Sequence, residues 1–574
     1  MADVLFLALR RLRAPLIIVI LVYAISVGGL VAMPGSDAPG MAGDLSFFHA
    51  FYVISYTATT IGFGELPGAF SDAQRAWVTF SIYLSVIGWA YAVTSIFALV
   101  QEPVFRGAVS RNRFAARVRR IDKPFYIIAG YGQSGTALAH AFDEIGMRSV
   151  IVETRPERAN RPEVEVYGAP PPCLAGDARW PDLLVDAGVR HPLCRALIVL
   201  VSDDEVAQAI AIGTSALNPQ LPVLARVHGA LAQTNLESFP NITVINPFTT
   251  FATNLGLALS APAVLWVEEW LSSVPGSAAP RPPDIPRGHW LILGFGRFGH
   301  AVAATLERAG CTWTAVDTNT ALADEPHLQH SDYSVDSLKR AGIENAVGIV
   351  ATTDRDALNL ALITRARKLR PGIHVIVRQN HIAERSLIEA AHAEVCFVKS
   401  EIMVRECLQL LMAPLLNRFL LQVRVHGARL AEQIAVRLLT ELQERVPYLW
   451  VFDCDAHHPG LSDVLGGRTE APLKLRELMI DPLEADRRLP AVALFLLRAE
   501  GGGEHEFMLP DPDMTLQHGD RILFAGRHGV EALQARFHLD PSPLEYVRSG
   551  VEPARGWLFR RLMRARRART ARLS

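Results

Sequence analysis

Two segments carry residue types at the spacing of a diphosphate cradle: Gly130-Tyr131-Gly132-Gln133-Ser134-Gly135 and Gly294-Phe295-Gly296-Arg297-Phe298-Gly299 both read GxGxxG. In such a run the first two glycines turn the chain and admit a diphosphate, and the third lets a helix pack closely on its strand. The helix N-terminus then supplies N–H donors. Each run follows an apolar stretch of strand length, from Phe125 to Ala129 and from His289 to Leu293, and leads into helical patterns at Ala137–Phe142 and Ala301–Leu306. A second apolar strand ends in an acid about 20 residues on, Glu153 in one copy and Asp317 in the other, where a ribose hydroxyl would be held. The expected ligand is an adenine nucleotide. An acid there favours a free 2′-hydroxyl, so NAD or an ADP/AMP-type nucleotide is expected rather than NADP, although Arg155 weakens the distinction in the first copy.

The elements that must position these residues repeat as well. Ala175-Gly176-Asp177-Ala178 answers to His330-Ser331-Asp332-Tyr333, which adds Asp177 and Asp332 to the candidate nucleotide-binding residues. Apolar strands recur at Ala196–Val201 and Ala346–Ala351, then at Leu221–Val227 and Ile373–Arg378. This alternation predicts two Rossmann-like α/β domains, 125–273 and 288–420, joined by a Pro-rich linker at 274–287. After 420 a smaller α+β lobe is expected over 421–530, with strands at Ala491–Leu497 and Gly519–Gly526.

At 574 residues the chain should hold roughly three to five such units. Its first hundred residues differ in kind. Ala14 to Met33 is 20 residues without a charge, enough to span about 30 Å of hydrocarbon, and Ala76 to Val100 is a second such run. A signal-peptide reading of the first run is disfavoured because its apolar core exceeds the roughly 7–15 residues of a signal. Arginines flank the outer ends of the pair (Arg10, Arg11, Arg13; then Arg106, Arg111, Arg113, Arg117, Arg119, Arg120), whereas the loop between them carries only Arg75. The positive-inside rule then puts both termini in the cytoplasm of a multi-pass protein of the cell membrane. Within the outer loop, Phe47 to Ala58 is too short to span and runs directly into Thr59-Thr60-Ile61-Gly62-Phe63-Gly64-Glu65, which predicts a re-entrant pore loop.

At Thr60-Ile61-Gly62-Phe63-Gly64-Glu65 the chain resembles the potassium-channel family, whose filter reads Thr-Val-Gly-Tyr-Gly followed by an acid. The resemblance implies that the carbonyls of Thr60, Ile61, Gly62 and Phe63, with the Thr60 hydroxyl, replace the hydration shell of K+, with Thr59 and Gly64 at the ends. Ile61 and Phe63 would turn away and pack on the pore helix. Here Ile replaces Val, Phe replaces Tyr and Glu replaces Asp, so Phe63 has no hydroxyl for the surrounding aromatic cuff. One filter strand cannot surround an ion, so a homotetramer in the lipid bilayer is implied. No further span carries regularly spaced arginines, so no voltage sensor is expected. Gly88 stands midway along the second span, where two-span channels hinge; the other reading is a small residue that permits close helix packing.

The α/β repeat placed directly after this pore resembles the RCK domain, the regulator of potassium conductance. The resemblance implies a ring of eight such domains under four pores, with 105–124 as the linker to it and with crossover segments beginning near Pro247 and Val398-Lys399-Ser400. Calcium-activated relatives carry carboxylates after the strand that here ends Ala225-Arg226-Val227-His228. Arg and His stand there instead, with only Asp203 matching nearby as a weak metal candidate, so Ca2+ is not supported by the usual ligands.

The fold class expected is therefore an α-helical two-span pore module (1–104), two Rossmann-like RCK domains and a C-terminal α+β lobe, followed by a basic tail over 531–574. That tail has eight arginines and no acid from Arg555 onward, which could touch anionic lipid or stay solvated. Net charge −1 gives no reason to expect a nucleic-acid partner. The six cysteines lack CxxC spacing and read as reduced thiols, and Cys454, Asp455, His457 and His458 read as a polar turn before a metal site. No catalytic residues are expected. Two other functions fit the sequence less well. A membrane-anchored NAD-dependent oxidoreductase lacks an acid/base pair in a substrate domain, and the regulatory subunit of a Trk-type transporter would have no filter of its own.

Overall fold

The computed structural model describes residues 2–36, 42–273, 275–281, 284–319, 327–468 and 471–551. The Arg555–Ser574 tail and parts of the 274–287 linker lie outside them. The chain forms two compact units, residues 1–127 with 148–194, and residues 128–147 with 195–574.

The first unit opens with helices Ala2–Ala32, Phe47–Ala58 and Asp72–Gln101. Leu12–Ala32 and Asp72–Gln101, at mean hydropathies of 2.5 and 1.8, are long and apolar enough to cross a bilayer. Helix Asp72–Gln101 starts at a capping box: the Ser71 hydroxyl accepts from Gln74 N, and the Gln74 side chain accepts from Ser71 N. It is unbroken through Gly88, where a β-carbon would sit 3.1 Å from Val22 Cγ2, and the Trp77 indole donates to Ser26 O at 2.9 Å. A β-carbon at Gly29 would meet the Trp77 ring at 1.9 Å. Small residues are thus what lets the two long helices approach.

Much of the stretch expected as a linker over 105–124 is a helix, Pro103–Arg119. Proline at its first position costs no hydrogen bond. Phe114, Ala115 and Val118 are buried, and Arg111 Nε donates to Asp186 Oδ2 at 2.5 Å.

Twelve parallel strands build two sheets of one topology. The first holds β1 (Phe125–Ala129), β2 (Arg148–Glu153), β3 (Cys173–Ala175), β4 (Cys194–Val199), β5 (Val223–Arg226) and β6 (Ile242–Ile245), in the order β3-β2-β1-β4-β5-β6. The second holds β7 (His289–Leu293), β8 (Thr312–Asp317), β9 (Leu328–His330), β10 (Gly348–Ala351), β11 (His374–Gln379) and β12 (Val395–Val398), in the equivalent order β9-β8-β7-β10-β11-β12. The central strands β1 and β10 are buried at every residue, which explains their unbroken apolar runs. Each domain leaves its last strand through a helix pair, Pro247–Ser260 with Pro262–Ser272 and Lys399–Met412 with Pro414–His426. Within the second unit Phe251, Phe298 and Phe397 join these elements, with ring centroids 4.3–5.2 Å apart.

The C-terminal lobe is an antiparallel sheet. After β13 (Tyr448–Asp453), the short pair β14 (Ile480–Asp481) and β15 (Glu484–Arg488) precedes β16 (Ala491–Glu500), β17 (Gly503–Met508) and β18 (Arg521–Gly526). The four-stranded order is β13-β18-β16-β17. The lobe does not end at 530: helices continue to Ser549, with Phe537 and Leu544 buried in its core. Asp520 is fully buried and takes Arg498 bidentately at 2.8 and 2.7 Å, and also accepts from Gln517 N at 2.8 Å. Asp520→Ala strands the Arg498 guanidinium and is expected to cost about 3 kcal/mol or more. The check is a thermal melt of the detergent-solubilised chain, which should soften by several degrees; an unchanged midpoint would show the pair to be dispensable.

Candidate functional site

The segment between the two long apolar helices is built by helix Phe47–Ala58, capped by the Ser46 hydroxyl accepting from His49 N. Its C-terminus hands directly to the glycine strand: Ile61 N and Gly62 N both donate to Tyr56 O, at 2.8 and 3.2 Å. Thr60, Gly62 and Gly64 take positive φ of 62°, 67° and 94°, while Ile61 and Phe63 do not. Alternation of this kind turns successive carbonyls to one side. At Gly62 and Gly64 the left-handed region makes glycine the residue of least cost. The Phe63 ring packs on Tyr52 and Tyr56, at centroid distances of 6.4 and 5.5 Å, and the Tyr56 hydroxyl donates to Gly64 O at 2.5 Å. The Tyr56 hydroxyl thus ties the preceding helix to the end of the glycine segment. Glu65 accepts from Arg75 at 2.8 and 2.9 Å and from Phe70 N at 2.8 Å. Arg75 is therefore committed to the acid that closes the motif, a pairing that spacing alone did not reveal.

Both glycine loops turn sharply from a strand into a helix. Gly130 and Gly294 each take φ of 102°. Gly132 and Gly296 cap helices Gln133–Glu144 and Arg297–Arg308, leaving their first N–H groups without a side-chain cap. A β-carbon at Gly135 would lie 2.1 Å from Gly130 O, and one at Gly299 would lie 2.5 Å from Gly294 O. Only glycine permits that helix-on-strand approach.

The acids differ between the copies. Asp317 accepts from Phe295 N of the glycine turn and from Asn319 N at 2.8 Å, so the structure brings this acid to its loop. Asp332 accepts from Ser334 N at 3.1 Å and from the Ser331 and Ser337 hydroxyls, and hydrogen bonds from Ser334, Ser337 and Ser331 lower its carboxyl to about 2. In the other copy Glu153 is 5% exposed and accepts from Arg155 N at 2.9 Å. Asp177 is engaged by the Arg179 guanidinium at 2.6–3.2 Å, which holds its carboxyl below the usual range. Thr352, whose hydroxyl donates to Gly294 O, supports the second loop and carried no signal in the sequence.

Residues 126–247 and 290–398 match the family model of the TrkA-N domain. The chain carries two TrkA-N domains. Its similarity extends to Potassium channel protein 1 of Methanocaldococcus jannaschii, 26% identical over 221 residues, which cover 38% of this chain and 61% of that one. A second relative, Probable potassium channel protein 2 of the same organism, is 31% identical over 101 residues, covering 16% of this chain and 29% of that one. The chain thus spans less than two thirds of either relative. Among solved structures, the GsuK channel bound to NAD is 16% identical, covers 93% of this chain and 99% of its own, and superposes with a TM-score of 0.44.

Two metal candidates have other duties here. Asp203 caps helix Asp204–Leu217 of the first TrkA-N domain, accepting from Glu205 N at 2.8 Å and Val206 N at 3.1 Å. Asp455 closes a turn on His457, accepting from its N at 2.9 Å, while His458 stacks on His538 and the Cys454 thiol is buried. No three His, Cys, Asp or Glu side chains among the described residues come together as a metal site.

Proposed function

We propose that the chain is one subunit of a potassium-selective channel whose gating is set by an adenine nucleotide, NAD or an ADP/AMP-type ligand, bound to its TrkA-N domains. The observation that carries this reading is the segment Thr60–Gly64. It has left-handed backbone at every second residue, lies directly after a 12-residue helix, and sits between two helices fit to span a bilayer. The similarity to proteins named as potassium channels supports it. Four chains would surround the ion path, contributing Thr59, Thr60, Ile61, Gly62, Phe63 and Gly64 each, and would assemble eight TrkA-N domains on the cytoplasmic side with both termini. The ligand would meet Gly130, Gly132, Gly135, Glu153 and Asp177 in one domain, and Gly294, Gly296, Gly299, Asp317 and Asp332 in the other. Helix Pro103–Arg119, continuous in sequence with the second span, would pass domain movement to the pore near Gly88. Nucleotide shifts this equilibrium only by its differential affinity for the open and closed forms.

The test is cation flux from liposomes holding the purified chain, with NAD and ADP titrated on the TrkA-N side. Potassium efflux that responds to nucleotide, with sodium excluded at least about 100-fold as a dehydrated carbonyl site requires, is the expected result. Equal passage of sodium, or no potassium flux under any nucleotide, would overturn the reading.

A further inference from the structure

Where the second long helix ends, the chain becomes strongly basic. Pro103 to Arg120 holds six arginines and no acid. Extended backbone at Glu102 separates helix Asp72–Gln101 from helix Pro103–Arg119, which packs against helix Ala2–Ala32. The two long helices run antiparallel, since Gly29 stands beside Trp77 and Gly88 beside Val22. Continued at equal rise, that pairing brings Arg10 and Arg13 near the level of Gln101. Helix Ala2–Ala32 has 31 residues, a length of about 46 Å, and so exceeds the roughly 30 Å of hydrocarbon. Its apolar window is Leu12–Ala32, which leaves the surplus at the Arg10 end. Between Asp3 and Asp37 this part of the chain has no acid either.

The buried side of helix Pro103–Arg119 fixes where its arginines stand. Phe114, Ala115 and Val118 are buried, and Arg111 shares their side, where its Nε donates to Asp186 Oδ2 at 2.5 Å. At about 100° per residue, Arg106, Arg113 and Arg117 fall within about 40° of one another, roughly 130° round the helix from that buried side. All three are exposed, as are Arg10 and Arg13. Arg119 is exposed too but stands about 140° off the stripe. The lower end of the stripe belongs to the first sheet, because the Arg117 charge acts on the Cys173 thiol of β3. Arg106 and Arg113, nearer the end of the span, remain to face what lies beside it.

We propose that Arg10, Arg13, Arg106 and Arg113 form a docking surface for the phosphate headgroups of anionic phospholipids in the cytoplasmic leaflet. The inference rests on the reading that the two long helices cross a bilayer with their outer ends cytoplasmic, and not on what the pore conducts or what the TrkA-N domains bind. Charge complementarity selects this occupant: such a leaflet is negative, and each arginine at its surface strengthens attachment about fivefold. The attraction fades over about 8 Å at physiological ionic strength, so only arginines near the end of the spans take part. An arginine stem can lie along the acyl boundary while its planar fork takes two phosphate oxygens. Helix Pro103–Arg119 is the direct covalent link between the second span and β1. Lipid bound along it would tie that link to the leaflet.

The experiment titrates the full-length chain in neutral detergent with phosphatidylglycerol and, separately, with phosphatidylcholine of the same acyl chains, and reads bound lipid by native mass spectrometry. Wild type should hold phosphatidylglycerol at least about 30-fold more tightly, and the preference should shrink as salt rises from about 0.1 to 0.5 M. The double variants Arg106→Gln with Arg113→Gln, and Arg10→Gln with Arg13→Gln, should each weaken phosphatidylglycerol binding about 10–30-fold and leave phosphatidylcholine unaffected. Arg119→Gln, exposed but off the stripe, should stay within about twofold of wild type although it removes a charge of the same sign. Equal retention of the two lipids by wild type overturns the proposal. So does an unchanged preference in both double variants, which would assign the lipid to other cations such as the Arg555–Ser574 tail, or displacement of the lipid by millimolar inorganic phosphate, which would make the site one for a soluble anion. Lipid retention is read without ion flux or nucleotide, so this inference and the channel reading can each fail alone.

Discussion

Gly62→Asp is expected to abolish potassium flux, by at least about 100-fold, while leaving the chain folded and assembled. The expectation has two sources. Gly62 takes φ of 67°, a region that costs a residue with a β-carbon about 1–2 kcal/mol, and four copies would be strained together in a tetramer. Every residue that replaces glycine also disturbs the direction of the adjoining carbonyls, which are the proposed ligands. A β-carbon at Gly62 meets nothing within 4 Å, so a single chain has room for the side chain and should fold. The damage is then confined to the ion path, and size-exclusion elution should match wild type. The informative control is Phe63→Tyr, which adds a hydroxyl at a ring already stacked on Tyr52 and should retain flux. If the Gly62→Asp chain conducts potassium normally, the ion does not pass through this segment.

Glu153→Ala is expected to weaken NAD and ADP binding by about 10–100-fold, the range set by losing charge-assisted hydrogen bonds to a ribose. Glu153 ends β2 after a run of buried residues, and its carboxylate is held by Arg155 N alongside the Thr154 hydroxyl at 3.1 Å. A fixed acid of this kind is pre-set to accept the two vicinal hydroxyls. In the second TrkA-N domain the matching change is Asp317→Asn, which keeps an oxygen for Asn319 N and avoids collapsing the glycine turn. Comparing the two variants in one nucleotide titration tells which domain reads the ligand. A nucleotide response unchanged in both would remove these acids from the site.

Sequence alone determined what local pattern can encode. A bilayer crossing needs only a charge-free run of sufficient length, so Leu12–Ala32 and Asp72–Gln101 were legible as apolar stretches. Both Rossmann-like sheets were legible too, because a buried parallel strand is uniformly apolar and the turn after it demands glycine at three set positions. The internal repeat then supplied the second domain from the first. Stretches without such a signature read less well. Pro103–Arg119 carries five arginines that interrupt its apolar residues, so it read as a linker, although burial of Phe114, Ala115 and Val118 packs it as a helix. The lobe's last helices, ending at Ser549, read as part of a basic tail because Phe537 and Leu544 pack on a core most of whose residues, such as Phe452 and Phe524, lie further back in the chain.

The tertiary structure alone decided which polar groups meet. Arg75 and Glu65 pair across a loop, and Thr352 reaches Gly294 from a neighbouring strand. Arg297, Arg378 and Lys399 stand over the Phe248 ring although they come from three separate elements and the ring from a fourth. Secondary structure follows from neighbours a few residues apart, which a sequence displays. Such convergence follows from strand order and domain pairing, which place residues far apart in the chain at the same strand ends.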